Sequence, residues 1–236
     1  MLNKHLAPIA ALLVASGSVA ATAHAQVIFS EDFDDANGQA IADVVPDIGD
    51  GFRQTGGPDI IVNMGVLDTT GEARTVFGDF ATTNLNASSP FLDVTADITL
   101  LGLNGGYAGI SLFNGTSEFV FFGDTGLGGD SDFIGIDGPD IDGQLSNTTD
   151  LGLYTLRYDF NTGGVALYSG GTASGTPLVS STGAAGQNFD SFRIENGAGS
   201  DIAISSISVA VNAVPEPSSA LLGGMVLLGL GARRRR

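Results

Sequence analysis

The amino-acid sequence predicts an all-β protein built around a jelly-roll β-sandwich. Between residues 26 and 213, 30 glycines separate short runs of β-branched and aromatic residues, and Asp, Asn, Ser and Thr fill the intervals. Glycine and these polar residues favour turns, whereas the short runs show the period of two that is typical of half-buried strands. No stretch of this region has the 3.6-residue apolar spacing of an amphipathic helix. Many short, regularly spaced strands indicate a sandwich or jelly roll.

Nine segments have the composition and the alternation of strands. They span residues 60–67, 75–80, 91–100, 107–113, 118–122, 153–160, 164–169, 191–195 and 202–211. The clearest alternation lies in 153–160, where ring and aliphatic side chains alternate with polar ones, so we predict that Tyr154 and Tyr158 point inward. The sequence Asn-Thr-Gly-Gly at 161–164 then predicts a hairpin turn into the following strand.

Residues 1–25 have the three parts of a secretory signal peptide. A short polar start contains Lys4, an apolar stretch follows, and Ala23 and Ala25 provide the small residues of a cleavage site. Serine and glycine within the apolar stretch make a first transmembrane helix the poorer interpretation. We therefore predict that the mature chain begins at Gln26 and continues as one domain to residue 213.

Residues 214–236 have the pattern of a short membrane span. They comprise Pro215, Glu216 and Pro217, an apolar stretch rich in leucine and glycine at 218–232, and the cluster Arg233, Arg234, Arg235 and Arg236. Cytoplasmic flanks of spans are enriched in arginine, so the four arginines are predicted to stay inside and the domain to lie outside. A helix over 218–232 is about 22 Å long, shorter than the roughly 30 Å hydrocarbon core, which suits a processed signal better than a permanent anchor.

The Pro-Glu-Pro tripeptide, the short helix and the arginine cluster together resemble the PEP-CTERM sorting signal of Gram-negative bacteria. The resemblance implies recognition by a membrane enzyme, exosortase, which processes the tail during export. It also implies a final location in the cell envelope, at the surface or outside the cell, with membrane attachment through the C-terminal helix only until processing. A plain C-terminal anchor is the alternative interpretation.

The predicted domain at 26–213 is strongly acidic. It contains 25 acidic residues against four arginines and no lysine, so its formal net charge is −21. Binding to nucleic acid depends on Lys and Arg that neutralise phosphates, so a nucleic-acid partner is excluded. The same charge repels anionic membrane surfaces and attracts divalent cations. Cysteine is absent, so the domain is stabilised without disulfides.

Few catalytic options remain in this composition. Both histidines precede residue 26 and cysteine is absent, so neither histidine-based nucleophile systems nor Cys/His zinc sites are available to the domain. Its four glutamates are Glu31, Glu72, Glu118 and Glu195. We expect Glu118 and Glu195 to stand alone, because no strand carries the closely spaced carboxylates that flank the scissile bond in retaining glycoside hydrolases. The sequence therefore predicts that the protein is not an enzyme.

Four segments of the domain together resemble a concanavalin-like or laminin-G-like jelly roll. They are an acidic first segment at 29–35, the hairpin at 156–167, the segment Phe-Asp-Ser-Phe-Arg-Ile at 189–194 and a closing strand at 202–209. The resemblance implies that the first and last strands pair in one sheet. The group includes lectins, carbohydrate-binding modules, glucanases and adhesive matrix domains, so the fold alone does not choose a function.

The densest acidic stretch, at 123–143, is a candidate calcium site. Its carboxylates are Asp124, Asp130, Asp132, Asp137, Asp140 and Asp142, and glycines separate them. Calcium takes six to eight oxygen ligands, which carboxylates and carbonyls on a turning backbone provide. The 12-residue EF-hand loop is absent, and a solvated loop in which Asp and Gly make turns is the alternative.

A second candidate for a structural calcium ion is the junction of the first and last strands. It would use Glu31, Asp32, Asp34, Asp35 and Asp201. Carbohydrate-binding jelly rolls, which this chain resembles, often hold calcium there with an Asp in the last strand, but this chain has Ser205 and Ser206 instead. Acidic capping of turns is the alternative interpretation.

The predicted function is a structural or adhesive role in exopolysaccharide or biofilm, outside the cell. The alternative is a calcium-assisted, lectin-like carbohydrate-binding module, and a third hypothesis is a calcium-dependent glycan hydrolase with an atypical carboxylate pair. Sugar binding usually employs flat aromatic rings. Tryptophan is absent from the sequence, and the tyrosines are Tyr107, Tyr154, Tyr158 and Tyr168.

Overall fold

Fourteen β-strands and one short 3-10 turn, Ile41–Asp43, make up the regular structure that a computed structural model describes. The described residues are 25–55, 57–70, 73–102, 106–127, 133–197 and 199–213. The strands are β1 Ala25–Glu31, β2 Gly51–Gln54, β3 Leu67–Asp68, β4 Thr75–Asp79, β5 Phe91–Leu101, β6 Tyr107–Asn114, β7 Ser117–Asp124, β8 Ile134–Gly138, β9 Ile141–Leu145, β10 Gly152–Asp159, β11 Gly164–Ser169, β12 Val179–Thr182, β13 Ser191–Gly197 and β14 Ile202–Asn212.

The first sheet contains both the first and the last strand of the domain. Its order is β1-β14-β5-β10-β11-β12, with β3 also paired to β14, and all of these pairs are antiparallel. In the pairing of β1 with β14, Gln26 lies opposite Val211 and Glu31 lies opposite Ile207. The prediction that the first and last strands pair is therefore confirmed.

The second sheet is formed by the intervening strands in the order β2-β4-β13-β6-β7-β8-β9. Its pairs are also antiparallel, so both sheets can present one face to the core and the other to solvent. Strand crossovers between the two sheets, such as β5 to β6 and β9 to β10, produce a sandwich with jelly-roll character. The predicted fold class is thus confirmed.

Alternate residues of the strands fill the space between the sheets. In β5, Leu92, Val94, Ala96 and Ile98 are fully buried, while the residues between them face outward. At one side of the core, rings of Phe29 and Phe192 meet edge to face with centroids 4.8 Å apart. This packing is the source of stability that a domain without disulfides requires.

The hairpin of β10 and β11 agrees with the sequence prediction. Tyr154 and Tyr158 are 2% and 0% exposed, so both point inward as predicted. Gly163 has a φ of 72°, and the Asp159 carboxylate accepts hydrogen bonds from the Asn161 backbone N–H and from the Thr162 hydroxyl. The turn therefore depends on glycine for its backbone conformation and on a side-chain carboxylate for its hydrogen bonds.

The prediction of a strand at 60–67 is wrong in most of its length. Only Leu67 and Asp68 form a strand there, and the rest makes isolated bridges such as Ala40 with Ile61. The apolar residues Ile60 and Val62 are nevertheless buried, because the loop folds over the core. Four short strands, β2, β8, β9 and β12, were absent from the predicted set, since each has only four or five residues and at most two apolar ones.

Several sequence predictions concern parts of the chain outside the described residues. These are most of the signal peptide at 1–25 and the whole sorting tail at 214–236, including its predicted transmembrane helix. Within the described ranges, no helix has the length and apolar character needed to span a membrane.

Candidate functional site

A row of side chains crosses the outer face of the second sheet. Strand register places one residue from each of six neighbouring strands in this row: Arg53, Phe77, Arg193, Ser111, Phe121 and Asp137. Residues paired directly across neighbouring strands point to the same face of a sheet, so the six share the outer face, where Ser111 and Phe121 are covered by their neighbours and are buried. The row thus combines charged groups, a hydroxyl and aromatic rings on one surface.

Arg193 joins two glutamates on this face. Its Nη2 atom lies 3.1 Å from Oε2 of Glu118, on β7, and also contacts Oε1 of Glu195, on its own strand β13. The Ser111 hydroxyl donates a 2.6 Å hydrogen bond to the other oxygen of Glu118. The expectation that Glu118 and Glu195 stand alone is therefore wrong, because strand pairing brings together residues that are 77 positions apart in the sequence.

Burial makes this cluster electrostatically unusual. Burial raises the pKa of the Glu195 carboxyl above its ordinary value, and the Glu118 carboxylate adds to the rise while Arg193 opposes it. Burial likewise raises the pKa of the Tyr107 hydroxyl, with a further contribution from Glu195. The Arg193 guanidinium lies 4.6 Å from the Phe113 ring centroid, so one cation is shared by two carboxylates and an aromatic face.

Glycines form the floor beneath two aromatic rings of the site. A Cβ atom on Gly109 would lie 2.5 Å from the Phe121 ring, and one on Gly197 would lie 2.5 Å from the Tyr107 ring. The two rings pack edge to face with their centroids 6.3 Å apart. Because the floor has no side chains, both rings lie low on the sheet, and Tyr107 keeps 41% of its surface exposed.

These residues border an open depression of about 410 Å³. Its lining includes the rings of Tyr107 and Phe121 and the carboxylates of Glu118, Asp137 and Glu195. Aromatic faces and hydrogen-bonding carboxylates thus meet in one concave surface. This combination suits a ligand with both an apolar face and many hydroxyl groups.

The four described aspartates of the predicted calcium segment do not form a group that could hold a metal ion. Asp124 is buried at the end of β7, level with Ile134, and its carboxylate accepts a hydrogen bond from the Gly126 N–H. Asp140 lies in the exposed turn beyond Gly138, about 13 Å further along β8 at roughly 3.3 Å per residue. Asp137 lines the depression, Asp142 is exposed on β9, and Asp130 and Asp132 lie outside the described residues.

The second calcium candidate is also spread out. Glu31 is buried opposite Ile207, whereas Asp201 precedes the start of β14 at Ile202, about 16 Å away along the strand. The Glu31 carboxylate accepts a 2.7 Å hydrogen bond from the Phe33 N–H, and burial raises its pKa.

Three more aspartates of this candidate, Asp32, Asp34 and Asp35, follow β1 and are exposed. The Ser205 hydroxyl of the last strand donates to the Asp97 carboxylate at 2.7 Å. In the described part of the chain, no three acidic residues are placed to hold a metal ion together. Calcium binding at either place stays a prediction.

Sequence reasoning missed Arg193 and Phe121 as site residues and did not place Tyr107 on an exposed face. A signal was present in β13, where Arg193 and Glu195 alternate with the apolar Phe192 and Ile194. That alternation assigns both charges to one outer face. The neighbours across β6 and β7 depend on strand order, which the sequence does not specify.

Comparison with protein families finds one match, at residues 213–236, to the PEP-CTERM protein-sorting motif. The predicted sorting signal is thereby confirmed. The motif directs export to the cell envelope or the extracellular space in Gram-negative bacteria, with processing by exosortase. No curated protein matches the chain.

Solved structures resemble the sandwich at low sequence identity. A beta-1,3-glucanase from Mycobacterium marinum is 10% identical, has a TM-score of 0.51, and is matched over 78% of this chain and 98% of that one. An uncharacterized protein from Mycobacterium paratuberculosis is 12% identical and has a TM-score of 0.49, and the match covers 77% of this chain and 99% of that one. A CBM2 module of an evolved Dit protein from Lactobacillus casei BL23 phage J-1 is 12% identical and has a TM-score of 0.42, and the match covers 81% of this chain and 98% of that one. The resemblance to the glucanase concerns the fold alone.

Proposed function

We propose that this exported protein is a non-enzymatic adhesive domain that binds glycan chains of the extracellular polysaccharide through the outer face of its second sheet. The observation that carries the proposal is the depression in which exposed Tyr107 and the Phe121 ring meet the carboxylates of Glu118, Asp137 and Glu195. The sorting motif supports the proposal, because it directs export to the envelope or the extracellular space, where a glycan-binding domain would meet its ligand.

Each part of the depression has a counterpart in a sugar. The C–H face of a pyranose ring is apolar and packs on an aromatic ring, while its hydroxyls donate hydrogen bonds to carboxylate oxygens. The Tyr107 ring is supported by Gly197 and the Phe121 ring by Gly109, so both are held in place before a ligand arrives. Such preorganisation reduces the entropy lost on binding.

The charge of the surface favours neutral sugars. Around Arg193 two carboxylates face one guanidinium, and Asp137 adds a third carboxylate to the lining. A uronic acid residue would place another negative charge beside these groups, which is unfavourable at short range. We therefore expect neutral hexose polymers to bind better than acidic ones. Calcium would reverse this order by bridging acidic sugars to the protein, as in the lectin-like alternative.

Hydrolysis is a second candidate function, and one observation favours it. Glu118 and Glu195 contact the same nitrogen of Arg193, so their carboxylates lie close together, and the pKa of Glu195 is raised. Retaining glycoside hydrolases use two carboxyl groups about 5–5.5 Å apart. However, Arg193 occupies the space between these two carboxylates, where the scissile bond would have to lie. This placement supports binding without catalysis.

A binding and turnover assay tests both functions on the fragment 26–213, which contains every buried core residue from Phe29 to Val209. We expect binding to neutral glycans on an array, without release of reducing ends from the same glycans. Tyr107→Ala should weaken the binding at least about tenfold, since truncating a central aromatic contact removes much of the binding energy.

Val45→Ala is the matched control, because Val45 is 84% exposed and far in sequence from the depression. Parallel arrays with added Ca²⁺ and with a chelator separate the lectin-like alternative from the proposal. Glycan binding that Tyr107→Ala leaves unchanged would contradict the proposed site. Release of reducing ends that Glu195→Gln abolishes would establish the hydrolase instead.

A further inference from the structure

The outer face of the first sheet has a depression of its own, of about 370 Å³. Small residues form its floor: strand register places Ala166 between Arg157 on β10 and Ser180 on β12, and Gly164 lies nearby on β11. Larger planar groups border it, namely the Phe91 and Tyr168 rings and the Arg157 guanidinium. The depression thus exists because small side chains lie between larger ones on the same face of the sheet.

The Arg157 guanidinium in this depression is held in a fixed plane. Its Nε and Nη2 donate to the two carboxylate oxygens of Asp93 at 2.7 Å and 2.6 Å. The Asn212 side-chain amide holds the same carboxylate with a 2.9 Å hydrogen bond, and the guanidinium carbon lies 4.8 Å from the Phe91 ring centroid. A guanidinium fixed by a bidentate bond and a ring offers a rigid flat surface with a defined donor edge.

We propose that this depression is a second glycan-binding site, which takes a neutral pyranose unit. The Tyr168 and Phe91 rings provide apolar surfaces for the sugar ring, and Ala166 and Gly164 leave the depth that it needs. Nη1 of Arg157 takes no part in the bidentate bond to Asp93, and Ser180 and Ser181 also line the depression.

Charge again selects the class of sugar. The Asp93 carboxylate neutralises Arg157 in the bidentate pair, and Asp159 adds an uncompensated carboxylate to the lining. The Arg157–Asp93 pair as a whole therefore carries no net positive charge that would attract an acidic sugar. A neutral hexose meets no like charge there, whereas a uronate does.

The two sites lie on opposite sides of the sandwich, because each is on the outer face of a different sheet. Two stacked sheets with their side chains separate the sites by more than the roughly 10 Å between the sheets, with protein core in between. One domain then holds two different polysaccharide chains and cross-links them. This bivalent inference extends the proposed function and shares its assumption that neutral glycans are the ligands.

Calorimetry of the fragment 26–213 tests the inference with laminarihexaose, cellohexaose and mannohexaose as neutral probes and hexagalacturonate as the acidic one. For the best neutral probe we expect two molecules bound per protein. Tyr168→Ala should weaken one of the two sites at least about tenfold. Ala166→Gln, which fills the floor and leaves the rings intact, should do the same. Val45→Ala should still bind two.

The variants distinguish failure of this inference from failure of the proposed function. One bound molecule, lost in Tyr107→Ala and unchanged in Tyr168→Ala and Ala166→Gln, overturns the second site and keeps the first. One bound molecule with the reverse dependence keeps the second site and overturns the first. Absence of binding to every neutral probe, or tighter binding of hexagalacturonate, overturns both.

Discussion

Arg157 and Arg193, one on each outer face of the sandwich, lie in opposite electrostatic situations. Arg157 has one carboxylate partner, Asp93, which is also held by Asn212. Arg193 has two, Glu118 and Glu195, from strands separated by β6. The Arg157–Asp93 pair has no net charge and holds the guanidinium in one orientation. The group of Arg193, Glu118 and Glu195 has two carboxylates for one guanidinium, so negative charge is in excess. An arginine paired with carboxylates thus forms a rigid ion pair on the first sheet and a group with excess carboxylates on the second.

The largest expected effect comes from removing each cation in turn. Arg193→Met leaves two mostly buried carboxylates without a counter-charge, and we expect the free energy of unfolding at pH 7 to fall by about 3 kcal/mol. Arg157→Met leaves one carboxylate that keeps the hydrogen bond from Asn212, so we expect a fall of about 1–2 kcal/mol. Urea denaturation of both variants measures the difference. Equal losses would contradict the contrast between the two faces.

A smaller effect is expected from the glycine floor of the second sheet, with a glycine outside both depressions as the control. On the second sheet, a Cβ on Gly109 would lie 2.3 Å from the Phe122 carbonyl oxygen, so Gly109→Ala should cost about 2 kcal/mol and displace the Phe121 ring. Gly171→Ala, on the side of the first sheet, meets only Leu153 at 3.5 Å and should change stability by less than about 0.5 kcal/mol. Denaturation midpoints compare the two variants. If Gly109→Ala lowers stability no more than Gly171→Ala does, the domain does not need a glycine beneath the Phe121 ring.

The smallest effect concerns pH. Burial raises the folded-state pKa of Glu195 above its ordinary value of 4.5. Its contribution to stability is therefore fully present below pH 4.5 and is lost as the pH rises through the raised folded-state pKa. Glu195→Gln cannot ionise, so its stability relative to the wild type should increase from pH 4 to pH 7. Thermal melting at the two pH values measures this change, and a relative decrease would show that the ion pair with Arg193 outweighs burial.

The interior of the sandwich was predictable from the sequence to a large extent. Strands β5, β10 and β14 agree with the predicted segments to within one or two residues, because their alternation of apolar and polar residues is regular. Burial against a second sheet enforces this alternation. The edge strands β9 and β12 escaped prediction, since half-exposed strands place few constraints on sequence.

The outer faces were much less predictable. The alternation in β13 assigns Arg193 to an outer face, but the position of Glu118 beside it follows from the order β13-β6-β7. That order is decided by how distant segments pack, and no local pattern records it. The separation of Asp124 from Asp140 has a simpler origin, because residues close in sequence lie far apart along an extended strand.

The pairing of β1 with β14 also affects when the domain can fold. It joins residues 25–31 to residues 207–212, and β14 is at the same time the neighbour of β5 in the middle of the first sheet. Contacts between such distant segments form slowly, because the entropy of closing a long loop is lost before the contacts contribute any stabilisation. Neither sheet can be completed before the end of the domain is available, because β13 lies between β4 and β6 in the second sheet and β14 lies between β1 and β5 in the first. The topology thus makes both sheets of the sandwich depend on the last two strands of the chain for their completion.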